Sequence, residues 1–529
     1  MNRAYQTLFG PSWQGHGVAL LAGASLPLAL APFDWWPLAI ISITFLALGL
    51  SDLKGRQCLA RSYFFGLGMF LAGVSWVYVS IHGFGQASIA LAGFLTFLFA
   101  AGLALVFSLP FGLLGRYFHN NPLAMPLAFP ALWLLGEWLR SWLLTGFPWL
   151  YIGYSQLQTP LSGYAPVLGV FGIGLTVVIT AACIARTIQW YFLPLRPRYT
   201  LRLLTICSLL WLGGAALAEL NWTQIKGNAI RVGMIQPNIP QAKKWDPDFY
   251  QTTVERLSRL SEPLWHNDWL IWPEAAIPKL YHRAGDLLEH FEQRAAASNT
   301  GLITGILYDD YQTQEYYNSM IGLGRARGIY QKTRLVPFGE YVPLEKNLRG
   351  LIHFFNLPTS IISPGRGQQR GIQVGATMVM PSICYEIAYP ALVAKGAAKA
   401  DILLTVSNDA WFGDSIAPQQ HLQIAQMRAL ETGRYIIRAT NNGLSAIINS
   451  KGEITLQGTQ FIQQSIEGEV YATHGLTPYV RYGDPLALLL SLLLLASSWL
   501  SKKYSRDNGT TPVNKDPASP SLPTGVKTP

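Results

Sequence analysis

Eight long stretches of this chain contain no charged residue, and they constrain its fold more than any other feature. They cover residues 18–33, 35–51, 62–81, 86–115, 122–136, 141–185, 203–218 and 485–500. A helix needs about 20 predominantly apolar residues to cross the hydrocarbon core of a bilayer. The sequence therefore predicts eight transmembrane helices, at about 17–33, 35–51, 62–81, 87–110, 123–143, 164–186, 202–219 and 484–500.

Most of the charged residues lie in one segment between the seventh and eighth stretches. Residues 221–482 hold 24 of the 39 basic residues and 22 of the 29 acidic residues, so the net positive charge of the chain lies mainly outside this segment. A nucleic-acid-binding protein would instead gather its basic residues on its folded domain. We therefore predict a membrane protein with one charge-rich domain and no nucleic-acid partner.

The basic residues outside this segment follow a pattern that predicts the orientation of the chain. If the N-terminus is cytoplasmic, the inside loops carry these residues, and the short outside loops carry none apart from Arg140 near a helix end. This is the positive-inside pattern, and it places the charge-rich domain outside the cytoplasm. The predicted regions are a seven-helix transmembrane region at 1–220, the outside domain at 221–482, an eighth transmembrane helix at 483–503 and a disordered cytoplasmic tail at 504–529.

The outside domain alternates strand-like and helix-like patterns. Apolar, β-branched runs lie at 230–235, 269–272, 301–307, 378–383, 402–406 and 435–439, and helical patterns lie near 247–262, 284–298, 388–399 and 418–433. Such alternation is typical of an α/β domain with helices packed on sheets. A segment of this length can bury a full core without disulfides.

Cys384 is the one cysteine of the outside domain. It could be a buried apolar residue, which is the common fate of a free cysteine. It also follows the strand-like run 378–383 and precedes a helix-like segment from about Ala388. A thiol on such a strand-to-helix turn is exposed near helix N–H groups, which lower its pKa. The position therefore also fits a catalytic nucleophile.

Two further segments contain charged residues that are candidates for the site. Glu274 directly follows the run 269–272 and Pro273, where its carboxylate could act as a general base or cap a helix. Lys332 lies eight residues before Glu340. Alone, Lys332 would be interpreted as a surface residue, and its functional interpretation is a cation that stabilises an oxyanion.

These segments, in this order, resemble the nitrilase superfamily. Combined with eight spans, they are similar to the apolipoprotein N-acyltransferase family of the bacterial inner membrane. The resemblance implies a nitrilase-like α-β-β-α sandwich inserted in an eight-helix transmembrane bundle. The motifs that carry it are Gln236-Pro237-Asn238-Ile239 with Trp245, Trp272-Pro273-Glu274, the stretch 332–343, Cys384-Tyr385-Glu386 and the stretch 407–413.

The resemblance implies a catalytic triad of Glu274, Lys332 and Cys384. It implies that an acyl chain moves from a phospholipid to the N-terminal diacylglyceryl-cysteine of an apolipoprotein through a Cys thioester, as the last step of lipoprotein maturation. Cysteine suits this route because it is both a good nucleophile and a good leaving group. The reaction would need no metal and no cofactor.

The resemblance also assigns supporting residues and a location. Glu340 would support Lys332, Tyr385 and Glu386 would shape the nucleophile turn, and Trp245 would lie near the substrate entrance. The protein would be a monomer in the inner membrane, with its catalytic domain in the periplasm. Its partners would be the phospholipid donor, the prolipoprotein acceptor and the bilayer.

Two other functions stay open on the sequence alone. A membrane-tethered nitrilase-type amidase would use water as its second nucleophile. A transporter with an accessory domain would carry more polar residues at mid-bilayer or broken helices.

Two features outside the motifs have more than one interpretation. Glu137 and Arg140 lie three residues apart on the fifth predicted span, which fits a structural ion pair or a phospholipid headgroup site. The apolar stretch 351–358 could be a buried element of the sandwich or a lid that rests on the bilayer surface.

Overall fold

The computed structural model describes residues 3–119, 121, 123–192, 197–337, 339–341 and 362–507. The stretch 351–358 lies outside these residues, so both interpretations of it stay predictions.

Helical structure occupies each of the eight predicted intervals. The helices outside the charge-rich domain are Arg3–Phe9, Trp13–Ser25, Pro37–Leu50, Gly55–Gly73, Val77–Val79, Ile89–Tyr117, Phe129–Arg140, Ala165–Phe192, Pro197–Ala218 and Pro485–Asp507.

Not all of these helices have full spanning length. Four in the described part of the chain are long and apolar enough to cross a membrane, or five if the bent pair Gly55–Gly73 and Val77–Phe84 forms one span. The helix Pro37–Leu50 has 14 residues, which corresponds to about 21 Å at 1.5 Å per residue. The molecule is thus a membrane protein by its apolar helices, while the count of eight spans stays a prediction.

Glycines allow the early helices to approach closely. A Cβ built on Gly23 would lie 1.9 Å from the carbonyl oxygen of Phe65, and one on Gly68 would lie 2.0 Å from that of Leu20. Helices in membranes pack through such small residues because little hydrophobic effect drives them together in lipid. The contact between helices Trp13–Ser25 and Gly55–Gly73 therefore depends on the missing side chains.

The charge-rich domain contains two stacked sheets. Its described strands are β1 (Gln224–Ile225), β2 (Ile230–Gln236), β3 (Trp269–Ile271), β4 (Ile277–Leu280), β5 (Gly301–Asp310), β6 (Glu315–Gly324), β7 (Ala326–Arg327), β8 (Ile329–Gln331), β9 (Ile372–Val374), β10 (Thr377–Ile383), β11 (Ile402–Ser407), β12 (Ile436–Thr440), β13 (Ala446–Ile448), β14 (Ile454–Gln457), β15 (Gln464–Val470) and β16 (Thr473–His474). One stacked sheet has the order β15-β2-β3-β5-β6-β8 with β4 beside β5, and the other has the order β14-β13-β12-β11-β10-β9-β7. Strands β1 and β16 form a separate two-stranded antiparallel sheet.

Helices cover the outer faces of the two sheets. Tyr250–Ser261 and Gly285–Ala297 pack on the first sheet, and Pro390–Ala397 and Ala417–Thr432 pack on the second. All six residues of β11 are buried, as expected of a parallel strand that is covered on both faces. The predicted nitrilase-like α-β-β-α sandwich is confirmed at this level.

The topology brings the predicted site residues together. β10, β11 and β12 pair in parallel, and so do β2, β3 and β5. Cys384 follows β10 of one sheet, whereas Glu274 lies three residues after β3 of the other sheet. Lys332 follows β8 of the same sheet as β3, and β8 pairs antiparallel with β6. The carboxyl ends of neighbouring parallel strands share one edge of a sheet, where sites commonly form.

One helix of the domain, Ala417–Thr432, lies against the membrane part. Its Gln420, Gln423 and Glu431 side chains accept hydrogen bonds from that part. The donors are Trp149 Nε1 at 2.7 Å, Ala31 N at 3.1 Å and Val170 N at 2.7 Å, respectively.

Glu137 and Arg140 are both buried and bind the backbone of one loop. Glu137 Oε1 accepts from the backbone N–H of Ile152 at 2.9 Å. The Arg140 guanidinium donates to the carbonyl oxygens of Phe147 and Trp149. Both side chains therefore hold the loop backbone, whereas the predicted ion pair between them is not observed among the described residues. A phospholipid headgroup site at these residues stays a prediction.

We expect Gly23→Ala to lower the melting temperature of the detergent-purified protein. The new methyl group would meet the Phe65 carbonyl oxygen, and such overpacking costs about 1–3 kcal/mol. Gly17→Ala, on the same helix, is the matched control because its Cβ would meet nothing within 4 Å. Alanine favours the helix there, so equal loss of stability in the two variants would contradict the close contact.

Candidate active site

The turn that carries Cys384 has an uncommon backbone conformation. Cys384 has a φ of +53°, and a non-glycine residue in this left-handed region costs about 1–3 kcal/mol. The turn continues as the 3-10 helix Cys384–Ala388 and then as the helix Pro390–Ala397. The predicted strand-to-helix position is confirmed, and neighbouring contacts must hold the strained residue.

Glu386 supplies several of these contacts. Its Oε2 accepts from the backbone N–H of Ile383 at 2.8 Å and from Tyr330 Oη at 2.9 Å. Its Oε1 accepts from the N–H groups of Thr333 and Arg334 at 2.7 and 3.1 Å. Burial raises the pKa of Glu386, although these donors oppose the rise. The carboxyl group thus ties the nucleophile turn to the segment after β8.

Lys332 lies at the centre of a buried charge cluster. Its Nζ is 2.8 Å from Glu340 Oε2 and 3.5 Å from Glu274 Oε1, and its side chain is only 1% exposed. Burial alone would lower the pKa of the ammonium, but the carboxylates of Glu340 and Glu274 outweigh burial and raise it. Lys332 is therefore a permanent cation rather than the surface residue it would have been alone.

Glu274 is fixed at both carboxylate oxygens. Oε1 accepts from Asn318 Nδ2 at 2.8 Å, and Oε2 accepts from the backbone N–H of Asn408 at 2.8 Å. Asn318 Nδ2 also lies 3.2 Å from Glu340 Oε1. The base and the cation are thus part of one hydrogen-bonded cluster, and a helix-cap role for Glu274 is not observed.

The environment of the Cys384 thiol differs from the sequence-based expectation. Burial and, secondarily, the Glu274 carboxylate raise the pKa of the thiol to about 12, while Lys332 and a Ser407 hydrogen bond oppose this rise. The predicted lowering by helix N–H groups is wrong because burial outweighs it. Cys384 is therefore a neutral thiol near pH 7, and a nucleophilic role for it would require a base.

Tyr385 connects the nucleophile turn to the membrane part. Its hydroxyl donates to the carbonyl oxygen of Gly146 at 3.1 Å, and its ring stacks on Trp149 with centroids 6.5 Å apart. Tyr389 donates to the neighbouring carbonyl of Thr145 at 3.0 Å. The loop that Glu137 and Arg140 hold therefore contacts the turn of the nucleophile.

Trp245 is half-buried on the loop after β2, and its neighbour Lys244 reaches the site. Lys244 Nζ donates to the backbone carbonyl of Glu274 at 3.0 Å. Burial lowers the pKa of this ammonium to about 8, while Glu274 and Cys384 oppose the shift. The place of Trp245 at a substrate entrance stays a prediction.

The sequence analysis did not predict three residues that contact this site, namely Asn408, Lys244 and Asn318. Asn408 stands inside the motif stretch 407–413 and Lys244 directly precedes Trp245, so their neighbours gave a signal. No sequence signal pointed to Asn318, because an isolated asparagine within a strand belongs to no recognisable catalytic motif.

The arrangement fits covalent acyl transfer. A thiol, a carboxylate base and a buried cation are the parts that nucleophilic catalysis at a carbonyl group needs. The cation can stabilise an oxyanion, and the low local polarity strengthens that interaction.

Two family models and a solved structure align with parts of this chain. Residues 22–183 match the family described as apolipoprotein N-acyltransferase N-terminal domain, and residues 231–474 match the family described as carbon-nitrogen hydrolase. The solved structure of Saccharomyces cerevisiae Nit3, a member of branch 10 of the nitrilase superfamily, aligns with a TM-score of 0.37 and 15% identity over 56% of this chain and 100% of that chain.

Relatives match nearly the whole chain. Apolipoprotein N-acyltransferase of Pseudomonas aeruginosa (strain LESB58) is 48% identical over 493 residues, covering 92% of this chain and 96% of that protein. The protein of the same name from Coxiella burnetii (strain RSA 493 / Nine Mile phase I) is 38% identical over 486 residues, covering 90% and 99%. Identity at this level over both chains shows that this protein belongs to the apolipoprotein N-acyltransferase family.

Proposed function

We propose that this acyltransferase moves an acyl chain from a phospholipid to the N-terminal amine of a diacylglyceryl-cysteine apolipoprotein, as a monomer and without a cofactor. The observation that carries the proposal is the position of Lys332 Nζ, 2.8 Å from Glu340 and 3.5 Å from Glu274, in a chain of this family. That cluster supplies a base and an oxyanion cation beside the turn of Cys384.

In the first half of the reaction, Cys384 Sγ attacks the ester carbonyl of the phospholipid. Glu274 takes the thiol proton as the carbon–sulfur bond forms, because a thiol with a pKa of about 12 is a poor nucleophile while protonated. Collapse of the tetrahedral intermediate breaks the ester carbon–oxygen bond. Glu274 then gives the proton to the leaving oxygen, so a lysophospholipid and a thioester result.

Lys332 stabilises the negative charge of the intermediate. Glu340 accepts two contacts from its ammonium, at 2.8 and 2.9 Å, and so keeps it charged and oriented. Loss of one such donor in other enzymes lowers kcat by about 10²- to 10³-fold. Backbone N–H groups of the nucleophile turn would add to this effect.

In the second half, the apolipoprotein amine attacks the thioester carbonyl. Glu274 removes a proton from the nitrogen, the carbon–sulfur bond breaks, and Glu274 passes that proton to the thiolate of Cys384. The products are the N-acylated protein and the free enzyme. An amidase or hydrolase of the same fold would release free fatty acid at this step instead.

We further propose that the protein spans the bacterial inner membrane eight times, with 221–482 in the periplasm. The apolar helices and the positive-inside pattern of the loops support this orientation. The regions 1–220 and 483–503 would then form the bundle, and 504–529 would be a cytoplasmic tail.

We expect Cys384 to form one acyl adduct when the purified protein is incubated with phospholipid. Intact-mass spectrometry should detect the added acyl chain, and neutral hydroxylamine should remove it because a thioester is labile to this nucleophile. Cys384→Ala should give no adduct, and an adduct that persists in this variant would contradict the assignment. Addition of a diacylglyceryl-cysteine peptide should yield N-acylated peptide, whereas free fatty acid alone would identify a hydrolase.

We expect Glu274→Gln and Lys332→Met each to slow adduct formation by at least about 100-fold, because each removes a group that acts in the transition state. The double variant should lose little more than either single variant, since residues that act as a unit are not additive. Exposed Lys279 and Glu289 supply the matched controls Lys279→Met and Glu289→Gln, which should acylate normally. Near-normal rates in either site variant, with an unchanged melting temperature, would show that its assigned role is wrong.

We expect residue 312 to be accessible from the periplasm and residue 52 from the cytoplasm. Native Cys58 is unsuitable as a probe because it is only 1% exposed. Gln312→Cys and Asp52→Cys lie at exposed positions and would be placed in a chain whose four native cysteines are replaced by alanine. A membrane-impermeant maleimide, applied to cells with a permeabilised outer membrane, should label only the first. Labelling of residue 52 before lysis would reverse the orientation.

A further inference from the structure

A second buried polar cluster lies behind the nucleophile, and the proposed reaction does not use it. Asp409 Oδ2 is 2.7 Å from Arg438 Nη2, and Asp409 Oδ1 is 3.2 Å from His421 Nδ1. His421 Nε2 lies 3.1 Å from the backbone carbonyl oxygen of Cys384. The side chains of Asp409, His421 and Arg438 are at most 1% exposed. The cluster thus contacts the backbone of the nucleophile itself.

The contacts of His421 decide which ring nitrogen carries its proton. A carbonyl oxygen can only accept, so Nε2 must be the N–H that donates to Cys384. Nδ1 lies 3.1 Å from Arg438 Nη2, which can only donate, and 3.2 Å from Asp409 Oδ1, which accepts as a carboxylate, so in a neutral ring Nδ1 accepts from Arg438. Burial and the positive charge of Arg438 lower the pKa of His421, which fits a neutral ring.

This arrangement leaves His421 without a free nitrogen for acid–base chemistry. One nitrogen donates to the Cys384 carbonyl and the other accepts from Arg438. The ring is also enclosed by Trp149 and Phe412, with centroids 5.5 and 6.1 Å away. A direct proton transfer between His421 and the substrate is therefore excluded by its surroundings.

The hydrogen bond acts on a strained residue. Cys384 has a φ of +53°, and its carbonyl oxygen is the acceptor of the His421 N–H. Asp409 reaches the same turn by a second route, since Ser407 Oγ donates to Asp409 Oδ1 at 2.5 Å and Ser407 also interacts with the Cys384 thiol. Rotation of Cys384 to an ordinary backbone conformation would break the contact with His421.

We propose that His421 is a positioning residue for acyl transfer, which holds Cys384 in its left-handed conformation by donating to its carbonyl oxygen. In that conformation the thiol is presented to Glu274 and Lys332. The inference rests on the proposed function, because it needs Cys384 to be the nucleophile. Asp409 and Arg438 act through His421 by fixing the orientation of its ring.

The position of His421 in the chain adds a connection to the membrane part. The preceding residue, Gln420, accepts from Trp149 Nε1 at 2.7 Å and donates to the Gly73 carbonyl at 3.2 Å. Adjacent residues of one helix therefore bind the membrane part and the nucleophile turn. A displacement of this helix would move the donor that holds Cys384.

Two amide variants separate a positioning role from a merely structural one. His421→Gln can place its amide Nε2 near the position of the ring Nε2 and keep the donor to Cys384. His421→Asn is one methylene shorter and reaches only the side of Arg438 and Asp409. Both amides are polar and of similar size, so both satisfy the buried ion pair to a comparable degree.

The measurement is the rate of acyl adduct formation on the full-length protein in a single turnover, over a range of phosphatidylethanolamine concentrations. We expect His421→Asn to lower the maximal rate by about 10- to 100-fold, the size of one lost hydrogen bond plus released strain. The half-saturating lipid concentration should not change. His421→Gln should recover to within about five-fold of the parent protein, because the donor is restored.

The matched control is Gln426→Leu, which removes a hydrogen bond from the same helix to Gly452, away from Cys384. It should acylate at the parent rate. Equal rates for the Asn and Gln variants, or a parent-like rate for the Asn variant, would overturn the positioning role. A parent protein that forms no adduct at Cys384 would instead refute the proposed function, so the two failures are distinguishable.

Discussion

The burial of one ammonium group between two carboxylates is the interaction on which the rest of the site depends. An unpaired buried charge costs several kcal/mol, so Lys332 can be buried only where Glu340 and Glu274 reach its Nζ, at 2.8 and 3.5 Å. Lys332 and Glu340 follow β8, Glu274 follows β3 of the same sheet, and Asn318 bridges the two carboxylates. The requirement to pair this charge therefore fixes how the strand ends meet, and the same pairing supplies a base next to a cation.

Cys384 has a strained backbone conformation, and hydrogen bonds from neighbouring residues maintain it. Glu386 binds the turn from the side of Lys332, and His421 binds the Cys384 carbonyl from the opposite side. Burial keeps the thiol protonated, with a pKa of about 12. In the proposed reaction, this protonated thiol becomes a nucleophile only when the Glu274 carboxylate takes its proton.

The membrane part contributes more than attachment to the bilayer. Glu137 and Arg140 hold the loop that includes Trp149, and this loop contacts both Tyr385 and Gln420. The helix Ala417–Thr432 lies between the membrane part and the sandwich, with neighbouring side chains directed to each. The geometry of the nucleophile and the docking of the domain are therefore coupled through direct contacts.

The sequence by itself determined the features that depend on local composition. Uncharged stretches predicted where the apolar helices lie, and alternating patterns predicted the α/β domain. Glu274 and Cys384 became candidates because each follows a strand-like run, whereas Lys332 was assigned through the family resemblance. Only the tertiary structure decided the helix lengths, the contacts of Lys244 and Asn318, and the direction of the Cys384 pKa shift. Asn318 and Glu274 are 44 residues apart, and Asn408 and Glu274 are 134 apart, so strand pairing and sheet stacking determine whether they meet. Burial likewise depends on the whole surrounding fold, which is why the same thiol that local position predicts to be acidic is held neutral by its desolvated surroundings.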